Sequence, residues 1–224
     1  VIFKVLQYKR VNFGETQKLI PMKNLLTLVF VIAFLNIYTN VKAQESNTIL
    51  DFNNPIYDRA EDQLRSTDTI PDFRSKKNKL KLTGIIYQSD GVTPANDVIL
   101  FIEQPNENGE FDLRNTGEDR YVFHRSWIKT DADGRYTFYT FVPGGDRRYN
   151  QLQQIFPVIK APSSEEYVVE SFLFDEDPLL TKTCRKRMTK KGDPTRILKL
   201  KTEDGIFVAE RNITLKPNGT LAKI

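Results

Sequence analysis

From residue 80 onward, apolar and polar side chains alternate over short runs, and each run ends in a turn rich in Gly, Pro, Asp or Asn. A period of two places one face of a strand against a core and the other in solvent, so the pattern predicts strands. Leu80-Lys81-Leu82-Thr83-Gly84-Ile85-Ile86-Tyr87 opens the series and closes at Ser89-Asp90-Gly91. A second strand is expected over residues 97–104, with Val98, Leu100 and Ile102 on one face. The third, Arg135-Tyr136-Thr137-Phe138-Tyr139-Thr140-Phe141, is entered by an Asp133-Gly134 turn and sets Tyr136 and Phe138 on a shared face. Residues 156–161, 167–174, 196–201 and 206–215 complete the set. No long segment of helical period occurs outside residues 25–37. Seven or so short strands separated by such turns indicate an all-β chain, an antiparallel β-sandwich with long loops.

Upstream of the strands the pattern changes twice. Residues 44–79 are polar, with Asn53-Asn54-Pro55, Ser66-Thr67-Asp68-Thr69 and Ser75-Lys76-Lys77-Asn78-Lys79, and read as an extended N-terminal arm leading to a sandwich at 80–216 and a tail at 217–224. Before the arm, Met22-Lys23-Asn24 precedes the apolar run 25–37, and Val41-Lys42-Ala43 supplies small residues near a cleavage point before Gln44. This order of charge, apolar stretch and small residues is that of a signal peptide at 22–43. The run is shorter than the roughly 20 apolar residues a spanning helix needs. Residues 1–21 read as a spurious upstream leader. The mature chain is therefore expected to be exported, to the periplasm or the extracellular space, with no membrane span.

Removing that leader alters the charge picture. The whole chain carries a net +4, but residues 1–43 hold six of its 33 Lys and Arg and one of its 29 Asp and Glu. What remains has one acid in excess, so there is no general electrostatic reason to bind nucleic acid. The partner is expected to be an unknown small molecule or protein.

Certain residue runs resemble a known family. The run Trp127-Ile128-Lys129-Thr130-Asp131-Ala132-Asp133-Gly134-Arg135-Tyr136-Thr137-Phe138, continued by Tyr139-Thr140-Phe141-Val142-Pro143-Gly144, resembles the central segment of the intradiol ring-cleavage dioxygenases, the catechol and protocatechuate dioxygenases. Ser171-Phe172-Leu173-Phe174-Asp175-Glu176-Asp177-Pro178-Leu179 is similar to that family's aromatic strand and acidic turn. The resemblance covers roughly residues 80–216. It implies a β-sandwich that holds a non-haem ferric ion with two tyrosinates and two histidines and inserts O2 between the hydroxyl-bearing carbons of a catechol.

Carried over position by position, the resemblance places the first tyrosine at Phe111, after the Asn106-Glu107-Asn108-Gly109-Glu110 turn. The second falls on Asp146, or on Tyr149 with a shift of three residues, and the histidines fall on Val158 and Lys160. The family's arginine beside the proline that precedes its His-x-His, a proline matched here by Pro157, is matched by Ile155 or Phe156. A phenyl or isopropyl group has no lone pair, and an ammonium would have to lose a proton to ligate. No catalytic or cofactor-binding residue is therefore assigned, and no cofactor is expected unless other residues rebuild a ferric site.

Three functions stay open. The first is an exported, catalytically degenerate relative used for binding or structure. The second is an active non-haem iron dioxygenase with unusual ligands. His124 is the sole histidine, so a two-histidine site within one subunit is excluded; a mixed set of His124, Tyr149 and a carboxylate such as Glu170 stays open, though nothing in the spacing requires it. In its sequence context His124 reads as partly exposed. The third is a transthyretin-like or carboxypeptidase-regulatory-like binding module, which shares the pattern of Gly84, Ser89, Pro94 and Val98.

The basic residues Lys182, Arg185, Lys186, Arg187, Lys190 and Lys191 read as a solvated loop or short helix, with an anion-binding patch as the alternative. Cys184 lies among them as the sole cysteine, which excludes an internal disulfide. Asp131-Ala132-Asp133-Gly134 lacks the flanking acids of a calcium loop and reads as a hairpin turn.

Overall fold

Alternation along the chain becomes the two faces of two sheets. The computed structural model describes residues 54–117 and 119–217; the upstream leader, the signal segment, the first part of the arm and the end of the tail lie outside the described residues. Strands β1 (Thr67–Thr69), β2 (Lys79–Tyr87) and β7 (Arg135–Phe141) join β12 (Lys201–Glu203) and β13 (Ile206–Glu210) in a sheet of order β1-β7-β2-β13-β12, and β14 (Ile213–Thr214) also pairs with β2. The facing sheet has the order β11-β10-β8-β3-β6, with β9 on β8. Its strands are β3 (Ile99–Glu103), β6 (Arg125–Lys129), β8 (Gln154–Lys160), β9 (Tyr167–Val168), β10 (Phe172–Phe174) and β11 (Ile197–Leu198). A separate hairpin joins β4 (Leu113–Thr116) to β5 (Asp119–Val122).

The core lies between the sheets. Leu80, Leu82 and Ile86 of β2 and Tyr136 and Phe138 of β7 meet Leu100, Ile102, Ile155, Ile159, Phe172 and Phe174 from the other side. Val98, Leu100 and Ile102 share the inward face, as the alternation indicates. A buried polar tie crosses the same space. The Gln104 amide donates to the Phe141 carbonyl at 3.0 Å, and the Thr140 hydroxyl donates to Gln104 Oε1 at 2.6 Å. Such a fully paired polar link fixes the relation between the sheets in a way that apolar packing alone does not.

Several expectations are corrected. The sandwich is of mixed pairing, because β1 runs parallel to β7, β10 to β11, and β13 and β14 to β2. The run 206–215 breaks at Arg211, whose carbonyl accepts from the Tyr136 hydroxyl at 2.6 Å. A Cβ at Gly84 would stand 1.9 Å from that carbonyl, so only glycine admits this approach. The 131–134 turn leads from β6 to β7, which belong to different sheets, so it is a link between layers and no simple hairpin. Asp131 Oδ1 still ties it, accepting from the amides of Asp133 and Arg135. Of the two forms expected for the basic cluster, loop or short helix, the helix is found: α1 (Lys182–Lys191), capped by Thr181, whose hydroxyl accepts from the Cys184 amide.

The arm packs on the domain. Short 3-10 turns at Pro55–Tyr57, Glu61–Gln63 and Phe73–Ser75 alternate with β1, and Ile56, Leu64 and Ile70 are buried to 1–3% exposure. Ile56 and Leu64 build a second core with Ile99, Phe101 and Trp127, on the outer face of the β3-β6-β8 sheet. Packing against the domain therefore starts well before residue 80. The isolated apolar residues in a polar stretch are its sequence trace.

Candidate functional site

Two turns carry the positions matched to the tyrosines, and glycines let them touch. Asn106 Oδ1 accepts from the amides of Asn108 and Glu110, shaping a turn in which Gly109 has φ +87°. The Gly144 amide donates to the Asn106 carbonyl at 2.9 Å. A Cβ on Gly144 would lie 2.4 Å from the Glu107 carbonyl oxygen, so the two loops close on each other only through glycine. Phe111 follows the first turn and packs on Phe156 with ring centroids 5.7 Å apart. Asp146 follows the second and is used locally, accepting from the Arg148 amide and pairing its backbone with Gln151. Tyr149 projects outward, 73% exposed.

Strand β8 presents the remaining positions. Its alternation turns Ile155 and Ile159 into the core and leaves Phe156, Val158 and Lys160 on the outer face. Val158 packs against the second core. Lys160 Nζ lies 3.3 Å from Glu61 Oε1 and 6.0 Å from the Tyr57 ring centroid. The Tyr57 hydroxyl donates to Glu166 Oε2 at 2.5 Å, and Asn54 donates to the other oxygen of the same carboxylate. Partial burial, followed by the Glu166 hydrogen bond and charge, pushes the Tyr57 phenol up to about 12.

Beside this face Trp127 is clamped by the arm. Its indole N–H donates to the Pro55 carbonyl at 2.8 Å, and the Arg59 and Arg125 guanidinium groups lie 4.8 and 5.0 Å from its ring. Asp68 collects Arg59, the Ser126 hydroxyl and the Trp127 amide, and Asp58 pairs with Arg125. The sequence does not reveal these partners, because Asp58, Glu61 and Asp68 come from the arm and Glu166 from a distant loop.

The same two-layered sandwich recurs in solved structures. The dioxygenase domain of a dioxygenase carbohydrate-binding protein fusion from Streptomyces sp. SirexAA-E superposes with a TM-score of 0.52 at 18% identity, covering 68% of this chain and 87% of that one. Catechol 1,2-dioxygenase from Pseudomonas arvilla C-1 gives 0.54 at 16% identity over 70% of this chain and 58% of its own length. An intradiol ring-cleavage dioxygenase from Tetranychus urticae gives 0.50 at 16% identity, with 69% and 87% covered. This chain has the intradiol dioxygenase fold. No protein-family model and no curated protein matches the sequence, so the likeness is one of fold.

The donor positions of this intradiol-type sandwich can be tested by their chemistry. Phe111 and Val158 offer no lone pair, Lys160 brings an ammonium already facing Glu61, and the remaining position is either Asp146, engaged in its own loop, or the exposed Tyr149. This set does not fit a ferric ion. Nor is the mixed set assembled. His124 is buried at 3% exposure, correcting the expectation of partial exposure, and it stands edge-on to Phe123 and Phe141 with centroids 5.2 and 5.0 Å away. Glu170 is taken up by Arg196 and by the Asp193 amide. Among the described residues, no three of His, Cys, Asp and Glu group so as to hold a metal ion.

A different concavity has a mixed, largely polar lining. About 400 Å³ in volume, it is bordered by Tyr167, Glu170, Asp193, Thr195, Arg211 and Lys216. Arg211 is 5% exposed and pairs with Asp193 at 2.5 Å. Burial opposes the Asp193 charge, but hydrogen bonds from Thr195 and Arg211 outweigh it and hold the carboxyl below its usual range.

Proposed function

We propose that the protein is an exported intradiol-type β-sandwich without ring-cleavage activity, serving as a binding or structural module for a small molecule or a protein. One observation carries this reading. The outer face of β8, where the resemblance puts both imidazole donors, bears Val158 packed against the second apolar core and Lys160 facing Glu61. Ring cleavage by the family's chemistry needs anionic and imidazole donors around a metal with a free position, and this face supplies an apolar contact and an ion pair. The cleft beside Arg211 is the place for a small ligand. Export is supported by the charge, apolar run and small residues of the 22–43 segment.

Purification with iron supplied tests the reading. The expected result is colourless protein, substoichiometric in metal, with no oxygen uptake on catechol or protocatechuate. Stoichiometric iron with a tyrosinate absorption band and a ring-opened product would refute it. An uncleaved N-terminus at Met22 in cytoplasmic material would refute export.

A further inference from the structure

Helix α1 carries like charge along its whole length, and the helix dipole favours that charge only in the last turn, at Lys190 and Lys191. With 3.6 residues per turn, Lys182, Lys186 and Lys190 stack in one row, and Arg187 and Lys191 stack in a neighbouring one. Every i,i+4 neighbour in those rows is a like charge, which destabilises a helix, and no acid in the first turn offsets Lys182 at the positive end of the dipole. The helix buries no residue fully. Cys184, Arg185 and Met188 form its inner side, where Arg185 pairs with Asp175 and donates to the Leu180 carbonyl. Among the described residues, the other five cations have no ion pair, and Glu176 is the exposed acid on the segment leading in. The fold thus uses one cation and displays five along a rod about 15 Å long.

We infer that α1 is a docking surface for an anionic lipid bilayer, held by headgroup phosphates. The choice of partner follows from what accompanies the charge. Residues 175–205 contain no aromatic side chain, so there is no platform on which nucleic-acid bases or sugar rings would stack. The outward rows also lack apolar groups that would insert. What they offer is dense, fixed positive charge, the feature that draws polybasic segments to acidic membranes. Contact therefore stays at the surface and weakens with salt.

Co-sedimentation of the full chain with phosphatidylcholine vesicles, with and without phosphatidylglycerol, tests this. The apolar run 25–37 is common to every variant, so the readout is the gain in binding when the anionic lipid is added. That gain is expected at low salt and is lost at high salt. Lys182→Gln/Lys186→Gln/Lys190→Gln should reduce it roughly a hundredfold, while Lys199→Gln/Lys201→Gln, exposed elsewhere, should leave it intact. If the first set changes the circular dichroism spectrum, Arg187→Gln/Lys191→Gln in the second row, which removes two charges, must reduce the gain roughly thirtyfold. No gain with anionic lipid, equal losses in the helix and control variants, or tighter capture by a single-stranded oligonucleotide or a sulfated polysaccharide at matched charge would overturn the inference.

Discussion

At the scale of the residue, His124 is the least satisfied group in the domain. Both ring nitrogens are buried without a hydrogen-bond partner among the described residues, between Phe123 and Phe141. Burial, and then the Lys76 ammonium, push its pKa below the ordinary imidazole value of 6.5, against weaker pulls from Asp112 and Asp72. The unfolded chain therefore takes up a proton before the folded one does. Stability tied to His124 is complete above about pH 6.5 and falls as the pH drops through the folded-state pKa. Urea melts from pH 7.5 down to 5 should show this slope, and His124→Phe should flatten it. The variant removes two unpaired polar atoms from an aromatic niche, so its stability at pH 7.5 should equal or exceed that of the parent. A steeper slope in the variant would contradict the assignment.

At the scale of the element, the arm holds to the sandwich through a few apolar pins set among ion pairs. Ile56 and Leu64 are 1% and 3% exposed against Phe101 and Trp127, whereas Arg59–Asp68 and Lys160–Glu61 are partly solvated. Exposed ion pairs contribute little, so the pins dominate. Ile56→Ala should cost about 3 kcal/mol in chemical denaturation, by loss of transfer energy and by the cavity left behind. Val92→Ala, at a position 77% exposed, should stay within about 0.5 kcal/mol. Equal effects of the two would mean that the arm is not pinned as described.

At the scale of the whole molecule, that packing makes Trp127, the single tryptophan, a reporter of arm docking, while far-UV dichroism reports the sheets. The arm's strand β1 pairs with β7, which pairs with β2, and β13 returns from more than a hundred residues away to pair with β2 in the same sheet. Elements so interleaved should unfold together. Fluorescence and dichroism are expected to give one coincident urea transition, and a tryptophan transition at lower denaturant would show that the arm detaches first. Pairings this distant in sequence also predict refolding on a scale of about milliseconds to seconds.

The sequence by itself determined the class of fold and the identity of the inward faces, because both rest on local periodicity. Leu80, Leu82, Val98, Leu100, Ile102, Tyr136 and Phe138 all point where their alternation says. At the positions the resemblance matches it also set Phe111, Val158 and Lys160, two side chains without a lone pair and one ammonium, since donor chemistry belongs to the side chain. Strands β1, β4, β5 and β6 were not legible, being short, polar or paired to partners far along the chain. Only the tertiary structure decided that the arm covers the outer face of β8, that Glu61 comes to Lys160 across 99 residues, that His124 is sealed, and that Asp193 meets Arg211. Those facts depend on long-range contact, and a period of two carries no information about which distant segment will supply the other side.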